Sequence, residues 1–289
     1  MNDLTELFCS IDDFYEDFKN QWKNNQINYK NHRGPNCSLS MSEIMTIMVL
    51  FHQSNFRNFK HFYFFALKNY KKEFPGLPSY SRFVSMQKYA FIPLFAYLIT
   101  IKGRVTGISF IDSTIIKVCH VKRSKSNRVF KGIATKGKSS IGWFFGFKLH
   151  LIVNEMGEIL SFQITPGNKS DLSVVKDLSK GIWGKLFGDR GYISYNLFKE
   201  LLKRNLKLIT KIKTNMKNKL MHLQDKILLR KRAIIESIND QLKNISQIEH
   251  SRHRSTSNFL VNLLSGLVAY SHQEKKPSLK LKKQELLAC

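Results

Sequence analysis

Three carboxylates that are far apart in this sequence have neighbours that suggest shared chemistry. Glu236 lies in the segment RKRAIIESINDQLK, after Arg232 and before Lys243. At ~100° per residue, an α-helix would place these three side chains and Asn239 within roughly 60° of arc. One helix face would then carry a carboxylate between two cations. Such a face suits a polyanion or a metal ion as its partner.

Two aspartates occur where predicted strands run out. Asp112 follows the apolar run GISFI, and Asp189 follows the short run KLFG. Only a folded sheet could bring them together with Glu236. Three adjacent carboxylates resist joint ionisation, and divalent cations remove that conflict. Mg²⁺, with Mn²⁺ as the alternative, suits oxygen ligands. The set therefore predicts two-metal phosphoryl transfer, with Asp112, Asp189 and Glu236 as catalytic residues and metal ligands.

Each carboxylate also has an ordinary structural explanation. Asp112 could cap a turn, and Asp189 could pair with Arg190. Glu236 could pair with the arginine one helical turn before it. Asp171, in TPGNKSDLSVV, is a rival third carboxylate. It precedes an apolar helical run, which favours a role as N-cap or first-turn residue. The joint placement of the other three favours catalysis.

The charge balance indicates a polyanionic partner. The chain has 47 Lys and Arg against 21 Asp and Glu, a formal net charge of +26. A charge this large repels itself unless a partner offsets it, and nucleic acid is the leading one. A ribosome-like protein is usually shorter and less aromatic. A membrane-surface protein would need a basic amphipathic or lipidated segment, and the sequence has none.

The basic residues are clustered. Nine Lys or Arg lie between Ser113 and Asn154, seven more lie between Leu201 and Gln224, and neither stretch contains an acid. Both would supply phosphate contacts and a steep salt dependence of DNA binding, with a solvated loop as the alternative. The candidate DNA contacts lie beside the carboxylates, in these basic segments or in the later segment IEHSRHR, and are Arg232, Lys243, Lys122, Arg123, Lys148, Arg190, Arg252 and Arg254.

Aromatic residues offer a further possibility for nucleic-acid contact. Trp143 and its neighbours Phe144, Phe145 and Phe147 could stack on bases. A strand this apolar is expected in the core instead.

Compartment is indicated by cysteines and apolar runs. The four cysteines form no CxxC pair and have no histidine at zinc-ligand spacing, which predicts reduced thiols in a cytoplasmic, nucleoid-associated protein. The amino terminus is acidic and lacks the apolar run of a secretory signal. The apolar stretches 44–51, 91–101 and 259–270 are shorter than a bilayer span and are expected in the core.

Residues 1–102 predict an all-helical domain. Ser40 and Glu43 have capping-box spacing, which starts a helix that runs to about Phe51. Further helices are predicted over 56–70 and from Ser79 or Ser81. Short helices joined by tight turns are typical of helix-turn-helix DNA binding, but a plain helical support domain fits equally well.

From residue 103 the pattern changes to strands. VTGISFIDSTIIKV, GWFFGFKLHLIVN and EILSFQITPG predict three in succession. Helix, strand, helix and strand follow through KLITKIK, the alternation that adds parallel strands to a sheet. This is the order of an α/β, ribonuclease H-like fold with a mixed five-stranded sheet flanked by helices. The predicted domains are 1–102 (helical), 103–272 (catalytic) and 273–289 (a polar tail).

Several motifs resemble a known family. IDST, GWFFGFKLH, ITPGN, GDRGY, RKRAIIE, NDQLK and IEHSRHRSTSNFLVNLL are similar to bacterial insertion-sequence transposases of the DDE class, in particular the insertion sequence 982 family. The resemblance implies a magnesium-dependent enzyme that cuts the ends of its own element and joins them to target DNA. Double-stranded DNA would be its partner, and the active form a homodimer or larger. It assigns the metal-binding triad to Asp112, Asp189 and Glu236, and end-DNA contacts to Arg232 and Lys243.

The sequence departs from the family pattern at Leu229, where related enzymes place a tyrosine three residues before the motif arginine. The short stretch between Lys213 and Asp225 leaves no room for a large insertion domain, so a built-in hairpin-stabilising module is not expected. Two alternatives stay open. One is a ribonuclease H-like nuclease or resolvase without strand transfer, and the other is a non-catalytic DNA-binding remnant of a mobile element.

Overall fold

The computed structural model describes residues 4–25, 38–139, 142–212, 220–249 and 253–279. The chain divides into two compact units. The first consists of Met1–Ile101 and Leu242–Glu274, and the second of Lys102–Gln241 and Lys275–Cys289.

The first unit is helical in its described residues. Its helices are α1 (Leu4–Asn25), α2 (Met41–Gln53), α3 (Phe59–Asn69), α4 (Tyr80–Met86), α5 (Phe91–Thr100) and, near the end of the chain, α10 (Thr256–Ser271). Helix α10 packs against α2 and α5. It is buried on nearly every side from Val261 onward, as expected of a helix that is apolar all round. It therefore forms the centre of this unit.

Two of the predicted helix starts in the first unit are confirmed. Ser40 caps α2 and forms a capping box with Glu43: its side chain accepts from the Glu43 amide at 3.1 Å, and Glu43 accepts from the Ser40 amide. Ser79 caps α4 through its side chain, which accepts from the Arg82 amide. The helix predicted over 56–70 is shorter, because the Asn58 side chain caps it at Phe59.

The apolar run Tyr80–Thr100 corrects one expectation. It spans 21 residues and is apolar enough to cross a membrane by length and composition alone, although core helices of soluble proteins pass the same test. Its last part, α5, was expected in the core. Leu94 and Tyr97 are buried as expected, but Ile92 and Phe95 are exposed.

The second unit is built on a mixed sheet. Its strands are β1 (Ile108–Cys119), β2 (Thr135–Ser139), β3 (Gly142–Asn154), β4 (Ile159–Pro166), β5 (Gly184–Gly188) and β6 (Leu206–Thr210). Strand β1 is central: it pairs antiparallel with β3 and parallel with β5, and β5 pairs parallel with β6. The far edge of β3 carries β2 along its first residues and β4 along the rest.

Without β2, the strands lie in the order β4-β3-β1-β5-β6. Three antiparallel strands followed by two parallel additions form the ribonuclease H-like arrangement, so the predicted fold class is confirmed. Within the described residues the sheet has one strand more than the predicted five, because β2 adds to the edge of β3. Its sequence TKGKS has no apolar alternation, and it is held by backbone pairing to β3.

Helices cover the sheet of the second unit. They are α6 (Leu172–Leu178), α7 (Tyr195–Leu202), α8 (Leu223–Lys231) and α9 (Ala233–Asn244), of which the last belongs to this unit up to Gln241. Ile111 of β1 packs with α6 and α7 residues such as Val175 and Leu201 in one apolar core. Because successive strand residues point to opposite faces, Asp112 points away from that core.

The compact units differ from the predicted domains mainly at two places, one of which is that Lys275–Cys289 belongs to the second unit and is not separate from it. The stretch Leu242–Glu274 lies in the first unit, because α10 buries its apolar surface against α2 and α5. The predicted boundaries 1–102, 103–272 and 273–289 stay a prediction about folding domains. The described start of the predicted tail is not loose, since the Leu279 amide donates to the Glu155 carbonyl at 2.7 Å.

Gly184 should be indispensable to strand β5. Its φ of +91° suits glycine, and a Cβ there would lie 2.3 Å from the Gly107 carbonyl oxygen. Gly184→Ala should lower the free energy of unfolding by more than ~2 kcal/mol. Gly181 is the matched control, with a φ of +77° and open space around a Cβ. Gly181→Ala should cost only ~1 kcal/mol in urea unfolding. Equal losses would contradict the role of the close approach.

Candidate active site

Asp112 lies in the middle of β1, half-buried, with 22% of its side chain exposed. Both of its oxygens face side chains from the segment around α9. Oδ2 accepts a hydrogen bond from Asn239 Nδ2 at 3.1 Å. Oδ1 lies 3.8 Å from Arg232 Nη1, an ion pair too long for a hydrogen bond. Asp112 therefore does not cap a turn.

Burial raises the pKa of Asp112 to about 6. The Arg232 guanidinium opposes this rise, while the charges of Asp189 and Glu236 add to it. The charges of Asp189 and Glu236 are therefore felt at Asp112. A cation beside Asp112 would offset this repulsion, and the assignment of the three carboxylates as metal ligands stays a prediction.

Asp189 follows the last residue of β5 and is exposed. Its carboxylate accepts a hydrogen bond from the Gly191 amide and caps the short 3₁₀ turn Arg190–Tyr192. Within the described part of the chain, Asp189 forms no ion pair with Arg190. The pairing of these two residues that the sequence left open is therefore not present. Strand β5 is parallel to β1, and Phe110 is in register with Phe187, so Asp112 and Asp189 each follow the paired residues by two positions.

Glu236 lies in the first turn of α9, with 57% of its side chain exposed. The single helix expected to carry it is interrupted, because α8 ends at Lys231 and Arg232 occupies the junction before α9. Arg232 Nη2 donates to Glu236 Oε1 at 2.5 Å, so the expected pair between these residues exists. Since Nη1 faces Asp112, the same guanidinium serves two carboxylates.

The donor set fits a hard divalent cation. Asp112, Asp189 and Glu236 offer only oxygen ligands, the kind that Mg²⁺ and Mn²⁺ prefer. The buried Oδ1 of Asn239 has no hydrogen-bond partner among the described residues, and an amide oxygen of this kind can also be a metal ligand. As the side chains stand, no three His, Cys, Asp or Glu residues in the described ranges are close enough together to hold a metal ion. Binding would thus require side-chain movement, for which the exposed Glu236 is free of close packing.

A family model described as "Transposase DDE domain" matches residues 102–256, more than half of the chain. The chain belongs to the transposase DDE domain family. The matched stretch contains all three carboxylates and the whole sheet. Membership of the insertion sequence 982 family stays a prediction. No curated protein matches the chain in sequence.

Two solved structures show a weak similarity to this transposase-family chain, with low sequence identity and low TM-scores. One is described as "Mos1 transposase paired-end complex with left transposon end", with 14% identity, a TM-score of 0.22 and coverage of 67% of this chain and 65% of that one. The other is described as "Crystal structure of the Mos1 Strand Transfer Complex", with 11% identity, a TM-score of 0.24 and coverage of 82% and 86%. TM-scores this low do not establish a common fold. The fold of this chain rests on its own strand order.

The predicted DNA contacts of this transposase-family chain differ in how available they are. Lys122 and Arg123 lie exposed in a 3₁₀ turn directly after β1, and Arg190 and Arg254 are also exposed. Arg252 lies outside the described residues.

Two of the predicted contacts are engaged elsewhere. Lys243 lies 3.5 Å from Glu249, and both belong to the first unit. Lys148 Nζ lies 3.0 Å from Asp171 and also donates to the Lys169 carbonyl. Because each ammonium already has an acidic partner, each is a weaker candidate for a phosphate contact.

Asp171 holds the N-cap position of α6, as predicted, but its side chain makes no capping hydrogen bond. The carboxylate pairs instead with Lys148 and lies 3.8 Å from Nδ1 of the buried His150. Burial moves the pKa of Tyr192 well above its usual range, and the charges of Asp112, Asp171 and Asp189 contribute. Asp171 is therefore a neighbour of the triad.

Sequence reasoning did not assign a role to Tyr192 or Asn239. Tyr192 ends the GDRGY motif, and Asn239 lies on the predicted charged helix face, three residues after Glu236. That spacing was the available signal for Asn239.

The aromatic prediction holds for three residues and fails for the fourth. Phe144, Phe145 and Phe147 are buried, whereas Trp143 is 63% exposed. Trp143 lies at the start of β3, in register with Lys138 of β2. Base stacking by Trp143 stays a prediction.

Without divalent ions, the charge of Asp112 should cost stability. Its pKa is about 6 in the folded chain against an ordinary 3.8, so the penalty is complete above the higher value and absent below the lower one. Asp112→Asn should therefore raise the free energy of unfolding at pH 7.5 by ~1–3 kcal/mol, and the gain should vanish as the pH falls through this interval. Chemical denaturation with a chelator present measures both. Asp177→Asn, at an exposed surface pair, is the control. A less stable Asp112→Asn at pH 7.5 would contradict the burial penalty.

Proposed function

We propose that this chain is a DNA transposase that cuts the ends of its own insertion sequence and joins them to target DNA by two-metal phosphoryl transfer. The observation that carries the proposal is that Arg232 pairs with both Asp112 and Glu236 beside a ribonuclease H-like sheet, while the charge of Asp189 contributes to the raised pKa of Asp112. Membership of the transposase DDE domain family supports it.

Asp112, Asp189 and Glu236 would hold the divalent cations, with Mg²⁺ as the expected ion and Mn²⁺ as the alternative. When bound, these ions supply Lewis acidity to the attacking oxygen and to the leaving 3′-oxygen. Arg232 keeps Asp112 and Glu236 together while it offsets their charge. Its guanidinium is also the candidate contact for a phosphate of the bound strand.

Double-stranded DNA, as element end and as target, is the proposed partner. The net charge of +26 supports a polyanion. The exposed Lys122, Arg123 and Arg190, near Asp112 or Asp189 in sequence, are the stronger candidates for backbone contacts. Such contacts position the duplex but do not read its sequence. An active homodimer or larger assembly, a cytoplasmic location at the bacterial nucleoid and membership of the insertion sequence 982 family are part of this proposal.

Single substitutions of the triad should abolish chemistry and spare DNA binding. We expect Asp112→Ala, Asp189→Ala and Glu236→Ala each to reduce Mg²⁺-dependent cleavage of element-end DNA by roughly 10³-fold or more. End-labelled DNA incubated with a supercoiled target measures cleaved and joined products together. Asp177→Ala, which removes an exposed carboxylate paired with Lys180, is the matched control and should remain active.

The same assay separates the alternatives. Cleavage without joining by the unmodified chain would indicate a nuclease or resolvase. Binding of end DNA without cleavage in Mg²⁺ or Mn²⁺ would indicate a non-catalytic remnant. Full cleavage by all three triad variants would overturn the assignment of the site.

Exposed lysines without an acidic partner should strengthen DNA binding by their charge attraction to backbone phosphates, without reading the base sequence. Lys122→Ala should weaken binding to every sequence and lower the slope of log Kd against log salt concentration by ~1. Lys148→Met should change the slope less, because Asp171 already neutralises that ammonium. Lys180→Ala is the control, at an exposed lysine on the same unit that is paired with Asp177. Fluorescence anisotropy over a salt series measures the slopes, and equal changes in all three would refute this ranking.

A further inference from the structure

Asn239 is a buried amide held in one orientation by Asp112. Only 7% of the residue is exposed, and it lies in the second turn of α9. Its Nδ2 donates to Asp112 Oδ2 at 3.1 Å. A carboxylate only accepts hydrogen bonds, so the amide nitrogen must face Asp112 and Oδ1 must lie on the other side of the group. The hydrogen-bond chemistry therefore fixes the orientation of this side chain.

The oxygen of this amide is left without a donor. Oδ1 is buried and has no hydrogen-bond partner among the described residues. A buried acceptor without a partner costs free energy, and native structures usually satisfy it with a protein donor, a water or an ion. The neighbouring residues Ile234, Ile235 and Ile238 are buried and apolar, so an apolar residue would suit this helix face better. Packing alone does not account for an asparagine here.

The position of Asn239 places its amide group beside the candidate metal ligands. Residues three apart on a helix share a face, so Asn239 and Glu236 lie on the same side of α9. Asp112, which the amide nitrogen binds, is influenced by the charges of Asp189 and Glu236. A neutral oxygen at this point adds a ligand for a hard cation without a fourth negative charge.

We propose that Asn239 is a fourth member of the divalent-cation site: its Nδ2 positions Asp112, and its Oδ1 is a neutral oxygen ligand to the cation, directly or through a bound water. This inference rests on the proposed two-metal function and adds a residue to its site. The structural feature behind it is one amide that is satisfied at nitrogen and unsatisfied at oxygen.

Two substitutions at this position separate the roles of the two amide atoms. Asn239→Leu removes donor and acceptor at similar volume. Asn239→Asp keeps an oxygen and the shape but cannot donate to Asp112 as a carboxylate. Asn244→Leu, the same change at an exposed position of α9, is the control. Circular dichroism and thermal unfolding first establish that each full-length variant is folded.

Mn²⁺ alone is the probe, and the free-ion signal in electron paramagnetic resonance measures its binding. Asn239→Leu should weaken Mn²⁺ binding ~10-fold or more. Asn239→Asp should bind Mn²⁺ at least as tightly as the unmodified chain, because the oxygen remains. Its Mg²⁺-dependent kcat for DNA cleavage should still fall ~10-fold with KM for DNA unchanged, because Asp112 has lost its donor.

Several results would overturn the inference. Mn²⁺ binding by Asn239→Leu equal to that of the Asn244→Leu control would do so. Equal weakening in Asn239→Leu and Asn239→Asp would remove the role of Oδ1 as a ligand. Asp189→Ala tests the proposed function separately: if it binds Mn²⁺ as well as the unmodified chain does, the triad assignment fails, whatever the result at Asn239.

Discussion

The collection of negative charge around a half-buried Asp112 is the constraint on which the rest of the site depends. A carboxylate in the middle of the central strand loses hydration, and Asp189 and Glu236 add repulsion. The chain compensates with one guanidinium and one amide, from Arg232 and Asn239. Each compensating group leaves one buried atom without a hydrogen bond among the described residues. The compensation is therefore partial.

The strand that carries Asp112 is held firmly on both sides. Strand β1 pairs with β3 over most of its length and with β5 near its start. Neighbouring residues of the strand point to opposite faces of the sheet. Ile111 packs in the apolar core with residues of α6 and α7, and Asp112 projects from the opposite face. A close-packed core resists displacement. The apolar residues packed around Ile111 therefore fix the position of Asp112, although they take no part in the proposed reaction.

The sequence predicted the features that depend on local pattern. The capping box at Ser40, the strands around Asp112 and the alternation of helices and strands after Gly167 depend on residues close together in the chain, where periodicity and capping chemistry apply. The ribonuclease H-like order followed from the succession of those elements. The carboxylates could be selected because charge conflict is a property of residue type.

Features that depend on distant partners were not predictable in the same way. Strand β2 has no apolar pattern and exists because β3 offers it an unpaired edge. Arg232 was expected inside a continuous helix, but it lies at a break between α8 and α9, where it faces Asp112 as well as Glu236. Nothing in the local sequence shows that Asp112, far upstream, is its second partner. Asn239 could not be assigned a role for the same reason, because its hydrogen bond to Asp112 of β1 joins residues far apart in the chain.

The break at Arg232 also explains why an arginine suits this position. A guanidinium presents five donors in a planar fork, so it can address two carboxylates from one place, whereas a lysine ammonium is a single point charge. A guanidinium that is held by one good hydrogen bond and one long ion pair keeps the carboxylates together without satisfying them. This partial compensation is consistent with the proposal that the site takes a cation of higher charge.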